Sequence, residues 1–287
     1  MKSAVKLLTG ESNAQQLDRL SYNIISVAWL DETTTKRSPR DILNHYKILV
    51  MIKGHATVHI GNDIYYTSAG DCVLFAPGSL YHAEIADSDG CQFASINFTF
   101  PSVSDEKSFQ SLIGIKNIAI YPKLIPQHTN TNIYKTLESC FEEKKGHYHQ
   151  INLLLKRLVG TVYYYGHPVE AEKSGVKPHL GEENMVLKCH RYIITNQSTA
   201  VTVEDLCTLC NVSQSYLYKC FSNTLSVSTK QFITDTKLDL AAKELLQTDK
   251  SVAQIATDNG YSNGYQFSNI FKIKYGISPS AYRKNYQ

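Results

Sequence analysis

The sequence predicts an α+β protein: an N-terminal antiparallel β-sandwich or barrel, a helical pair, and a C-terminal all-α domain of two helix-turn-helix units. Three observations predict it. Short β-branched and aromatic runs separated by turn residues fill residues 41–100, apolar residues recur at helical spacing from Thr131 onward, and a stretch near the C-terminus is repeated. At 287 residues the chain exceeds the roughly 100–200 residues of one domain. The expected division is 1–166 for the barrel and helical pair, 167–183 for a linker, and 184–287 for the helical domain.

The barrel strands are expected at 46–52, 56–60, 64–67, 72–75 and 93–100. Gly54, Gly61-Asn62-Asp63, Gly70-Asp71, Pro77-Gly78 and residues 87–90 supply the turns between them. Ile133, Leu137, Cys140 and Phe141 form one helical stripe, and Ile151, Leu154, Leu155, Leu158, Val159 and Val162 another. Pro168, Gly175, Pro178 and Gly181 mark the polar linker that follows.

In the repeat, Leu206 to Ser213 corresponds to Ile255 to Ser262. Each copy has an apolar residue and a small one (Cys207 or Ala256) that admit close helix packing. Asn211 or Gly260 then takes the left-handed conformation that ends a helix, and Ser213 or Ser262 caps the next. The following helices bury Leu217, Cys220 and Phe221 in one unit and Phe267, Ile270 and Phe271 in the other. Their opposite faces present Gln214, Ser215, Tyr218 and Lys219 in the first, and Asn263, Gly264, Tyr265, Ser268, Asn269 and Lys272 in the second. Such groups hydrogen-bond base edges or phosphates in a major groove wide enough for a helix. Double-stranded DNA is therefore the expected partner, on motif grounds alone: a net charge of +3 is too small to imply it.

Gly260-Tyr261-Ser262, Phe267, Phe271-Lys272, Tyr275 to Ser280 and Tyr282-Arg283-Lys284 resemble the signature of the AraC family of transcriptional regulators. The resemblance spans about Val201 to Lys284. It implies base-reading roles for Ser215, Tyr218 and Lys219, and for Tyr265, Ser268 and Asn269. Two departures matter. Ser226 stands where the family usually has a helix-ending glycine. The first reading helix has only Lys219 as a cation, and the second offers Gly264 and Asn269 where stronger hydrogen-bonding residues are common. Modest affinity per protomer and a need for paired sites are expected.

The stretch from Leu49 to His82 resembles the cupin-like sensor barrel of sugar-responsive members of that family. It implies a small-molecule effector in the barrel mouth, a sugar or related hydroxylated metabolite, and dimerisation through the helical pair. Contact with RNA polymerase is a further expected partnership. Phe93, Ser95 and Asn97 share one strand face, and with Lys47, Tyr81 and His82 they are the candidate effector residues.

An enzyme is not expected. A catalytic cupin needs two histidines two positions apart, a carboxylate and a third histidine. Here His55 and His59 are four apart, and Ala76 replaces the usual proline of the second cupin motif. No metal ligand and no cofactor are predicted. A cupin-type metal enzyme fused to a DNA-tethering module is the alternative, with a ligand-independent architectural DNA binder as a third reading. Cys207 and Cys210 read as core packing, since no second pair lies near enough in sequence to complete a zinc site.

Hydrophobic residues at 43% and charged residues at 19% describe an ordinary soluble protein, and no run reaches the roughly 18 apolar residues of a membrane span. The first ten residues lack the apolar stretch of a signal peptide. A cytoplasmic location, no membrane partner and reduced thiols for the seven cysteines are expected.

Overall fold

A computed structural model describes residues 13–32, 36–37, 40–60, 63–85, 90–115, 117–125, 135–136, 147–169, 172–173 and 180–286. The front half is two facing antiparallel sheets. The larger runs in the order β1 (Asn23–Glu32), β9 (Cys91–Thr99), β4 (Tyr46–Lys53), β7 (Cys72–Phe75), β10 (Ile118–Tyr121). The smaller runs β11 (Glu172–Lys173), β6 (Asp63–Ser68), β5 (His55–Ile60), β8 (Leu80–Ile85), β2 (Lys36–Arg37), and β3 (Asp41–Ile42) also pairs with β8.

The five strands expected from the sequence are β4, β5, β6, β7 and β9, each within two residues of its expected ends. Strand alternation sorts their side chains. On β4, Tyr46, Ile48 and Val50 face outward into a core shared with α1 (Asn13–Arg19), α2 (Val103–Ile113) and α3 (His147–Tyr165), where Tyr22, Tyr46, Phe98, Phe100 and Phe109 stack edge to face. Leu49 and Met51 face the barrel interior with Val58, Val73, Phe75, Ile120 and Phe93. The second helical stripe, 151–162, lies in α3 and buries as its spacing predicts. The first, 133–141, lies outside the described residues.

Within the segment expected as linker, β11 adds to the edge of the small sheet at β6, and the next helix starts at Leu180. Seven helices follow: α4 (Leu180–Thr195), α5 (Val203–Cys210), α6 (Gln214–Leu225), α7 (Thr229–Gln247), α8 (Val252–Asp258), α9 (Gly264–Tyr275) and α10 (Pro279–Tyr286). They make two cores, one around Leu206, Leu217, Phe221 and Phe232, the other around Leu245, Ile255, Phe267 and Phe271. Truncating the fully buried Phe221 or Phe267 to alanine costs about 3–5 kcal/mol. No described helix is long and apolar enough to cross a membrane.

Candidate nucleic-acid interface and ligand barrel

The first helical unit is built by its caps. Thr202 accepts from the Asp205 backbone N–H while the Asp205 carboxylate accepts from the Thr202 backbone N–H, a reciprocal pair that starts α5. Those bonds also hold the Asp205 carboxyl below its usual range. Asn211 ends α5 at φ 54°, and the Ser213 hydroxyl accepts from the Tyr216 N–H to start α6. Leu217, Cys220 and Phe221 are buried. Gln214, Ser215, Tyr218 and Lys219 are all exposed, with the Gln214 amide donating to the Tyr218 hydroxyl at 2.6 Å. The Cys210 and Cys189 sulfurs are 3.5 Å apart. Burial and the neighbouring thiol push the Cys189 thiol up, so it is the inert, packed kind.

The second unit repeats the construction with one difference. Gly260 turns at φ 77°, but Asn263, not Ser262, caps α9: its side-chain oxygen accepts from the Tyr265 and Gln266 N–H groups. Its carbonyl oxygen is therefore occupied, leaving the amide NH2 as the group it can offer a ligand. Gly264, Tyr265, Asn269 and Lys272 are exposed, Tyr265 by 77%. Ser268 is half-buried and its hydroxyl donates to the Gly264 carbonyl. Phe267 and Phe271 are buried as expected.

Lys237 ties the units together. Its ammonium, on α7, donates to the carbonyls of Thr199 and Asn259, so one buried cation satisfies the loop before α5 and the end of α8. Burial lowers its pKa. The residue was not predicted, because its partners are backbone carbonyls that leave no trace in sequence.

In the barrel, cross-strand register sets Lys47 opposite Asn97, Leu49 opposite Ser95 and Met51 opposite Phe93. Alternation directs all six inward. The Lys47 ammonium donates to the Tyr81 hydroxyl at 3.1 Å, and Tyr81 packs on Phe75. Five of the six expected effector residues, Lys47, Tyr81, Phe93, Ser95 and Asn97, thus share the interior. His82 does not. It follows Tyr81 on β8, so its ring points to the outer face of the small sheet, where it stacks on His59.

A cavity of about 380 Å³ between the front half and the helical domain is lined by Ile25, Asp41, His45, Asp239, Lys243, Lys274 and others, and by none of these five inward residues. Two buried polar atoms, His45 Nε2 and Asn97 Oδ1, lack a hydrogen-bond partner. Burial lowers the His45 pKa, against the opposing pull of Asp239. Asn44 bridges the halves: its amide donates to Asp239 at 2.6 Å and its carbonyl oxygen meets His190 Nε2 at 2.7 Å. Arg40 pairs with Glu183, and Lys243 with Glu106. None of these junction residues was singled out in the sequence, since their partners lie more than a hundred positions away.

Residues 28–151 match the model of an AraC-like ligand binding domain, and residues 206–285 that of a helix-turn-helix domain. The raffinose operon transcriptional regulatory protein RafR of Pediococcus pentosaceus is 32% identical over 163 residues, 55% of this chain and 57% of that protein. The lactose operon transcription activator of Staphylococcus xylosus is 33% identical over 95 residues, 33% of this chain and 34% of that protein. The chain thus spans less than two thirds of the length of these curated relatives. The crystal structure of ToxT from Vibrio cholerae aligns with a TM-score of 0.43 at 14% identity, over 94% of this chain and 99% of that one. With the ligand-binding model matching its front and the helix-turn-helix model its rear, the chain belongs to the AraC family of transcriptional regulators.

Proposed function

We propose that the chain is a sequence-specific DNA-binding transcription regulator, acting in the cytoplasm as a homodimer on promoter DNA and responding to a sugar or related hydroxylated metabolite. The observation that carries the DNA reading is the repeat itself. Two capped helices, α6 and α9, bury matching stripes and leave Ser215, Tyr218 and Lys219, and Tyr265 and Asn269, in solvent. The 19 residues of α7 between them rise about 28 Å, close to the ~34 Å between successive major-groove faces.

The sugar reading is supported by the inward set of Lys47, Tyr81, Ser95 and Asn97, which offers donors and acceptors suited to hydroxyl groups, and by the raffinose and lactose operons named for its relatives. A ligand in this mouth would lie beside the junction with the helical domain, so its binding can shift the population of arrangements that domain adopts. Dimerisation is assigned to α3, whose outward stripe carries the exposed Leu153 and Tyr164 with Gly160 between them. Docking on RNA polymerase is part of the same reading. Catalysis in the barrel is disfavoured: His82, the histidine a cupin motif would lend to an internal metal, points out of it.

The test is binding of the full chain to promoter fragments from its own gene neighbourhood, across a salt series, with and without candidate sugars. Saturable, sequence-preferring binding that a sugar shifts supports the reading. A salt-sensitive affinity equal for all sequences, unchanged by any sugar, would leave only the architectural alternative.

A further inference from the structure

The outer face of the small sheet carries a cluster that neither the reading helices nor the barrel interior uses. His59 on β5 and His82 on β8 are directly opposite each other. Their imidazole planes stack with centroids 4.4 Å apart, 3° from parallel. Glu84 follows His82 by two positions, so strand alternation returns its carboxylate to the same face. One carboxylate oxygen lies 3.6 Å from His59 Nε2 and the other 3.7 Å from His82 Nε2. One ligand atom from each residue falls within 4.8 Å of the other two.

These separations are too long for hydrogen bonds. The His59 Nε2 is buried with no hydrogen-bond partner, an arrangement that calls for an explanation in a folded protein. A tetrahedral ion with bonds of about 2.0–2.2 Å sets its ligand atoms roughly 3.4 Å apart, close to what the carboxylate already shows to each ring.

We propose that His59, His82 and Glu84 bind a divalent late first-row transition-metal ion of the zinc type. Two imidazoles with one carboxylate suit zinc, cobalt, nickel or copper, whereas magnesium and calcium take oxygen ligands. Three protein ligands leave at least one position for water or an exogenous group. Glu84, with a side chain 40% exposed, gives the ion a way in, while His82 is buried. Cross-strand pairing is what the sequence hides: the expectation of no metal rested on the four-residue gap between His55 and His59, the absence of a His-x-His before His82 and Ala76 in the second motif, whereas these ligands come from two strands. Leu80, two positions before His82 on the same face, packs into the core of the first helical unit. The ion therefore sits on the strand that meets the helical domain, as an input separate from the barrel interior.

The test uses the full chain, reduced and stripped with a chelator, titrated with Co²⁺ and read by visible absorption, with bound metal counted after dialysis. One equivalent is expected, with ligand-field bands of a nitrogen and oxygen set and no thiolate-to-cobalt charge transfer. His59→Ala and Glu84→Gln should each weaken binding by at least the roughly 10–100-fold that losing an outer-shell partner costs. Glu84→Gln keeps the side chain's shape at a partly exposed position, so its metal-free thermal unfolding should match the parent. Absence of bound cobalt in the parent protein, charge transfer that places the cobalt on cysteines, or unchanged affinity in either variant would overturn the proposal.

Discussion

Ser226 ends α6 at φ 58°, with its backbone N–H bonded to the Ser222 carbonyl. A side chain in the left-handed region costs about 1 kcal/mol that glycine avoids. Ser226→Gly should therefore raise stability by about 0.5–1 kcal/mol in urea unfolding, with no change in the exposed face of α6. Gly260 is the reverse case. At φ 77° a Cβ would come within 2.8 Å of both the Thr199 carbonyl oxygen and the Lys237 ammonium, displacing the contact that ties the two units. Gly260→Ala should cost more than about 2 kcal/mol, read by thermal unfolding of the full chain. The Gly260 turn was legible in sequence because glycine reports backbone conformation, whereas Ser226 was marked only by the family's usual glycine at that position. The cap of α9 was misplaced by one residue for the same reason: Ser262 and Asn263 are both good caps, and only the chain's path past Gly260 decides between them.

At the scale of elements, legibility followed periodicity. Helices such as α6 and α9 declare themselves by an i, i+3, i+4 stripe, and the four-residue apolar run of β7 by the Gly70-Asp71 and Pro77-Gly78 turns that bound it. The edge strands β1 and β10 did not, although β1 carries Asn23–Glu32 along the whole of β9. β10 is a four-residue apolar run that local pattern cannot separate from a helix fragment. On α6 and α9, two kinds of contact are separable by substitution. If Lys219 meets a phosphate, Lys219→Ala should weaken binding about equally for all DNA sequences and reduce the logarithmic salt slope by about 1. If Asn269 meets a base, Asn269→Ala should cost about 1–3 kcal/mol at the preferred site and relax preference at one position. Fluorescence anisotropy with matched and mismatched duplexes distinguishes these outcomes. On α3, Leu153→Asp places a charge in the exposed stripe and should shift the full chain toward monomer in light scattering, with its melting temperature retained because Leu153 is already 54% exposed.

At the scale of the molecule, the junction between barrel and helical domain makes a pH-dependent prediction. His190 is buried against Asn44 and Phe232, and burial pushes its pKa from 6.5 down to about 4. Folded and closed, the ring is neutral and meets the Asn44 carbonyl oxygen as a donor. Opened or unfolded, it takes a proton near its ordinary value. Between those two values the open state binds more protons, so stability rises with pH there. It is fully present above about pH 6.5 and lost as pH falls toward about 4, a term on the order of 3 kcal/mol. His45, also lowered by burial, has the same sign. Asp41, whose carboxyl burial pushes up, has the opposite sign. His190→Gln retains a donor for Asn44 but cannot titrate. The parent should lose thermal stability and gain amide exchange at Asn44 and along α4 on moving from about pH 7.5 to about pH 5, while His190→Gln shows a much flatter profile. If the two proteins follow the same curve, the acid sensitivity belongs to other groups and the Asn44–His190 contact is not what holds the domains together.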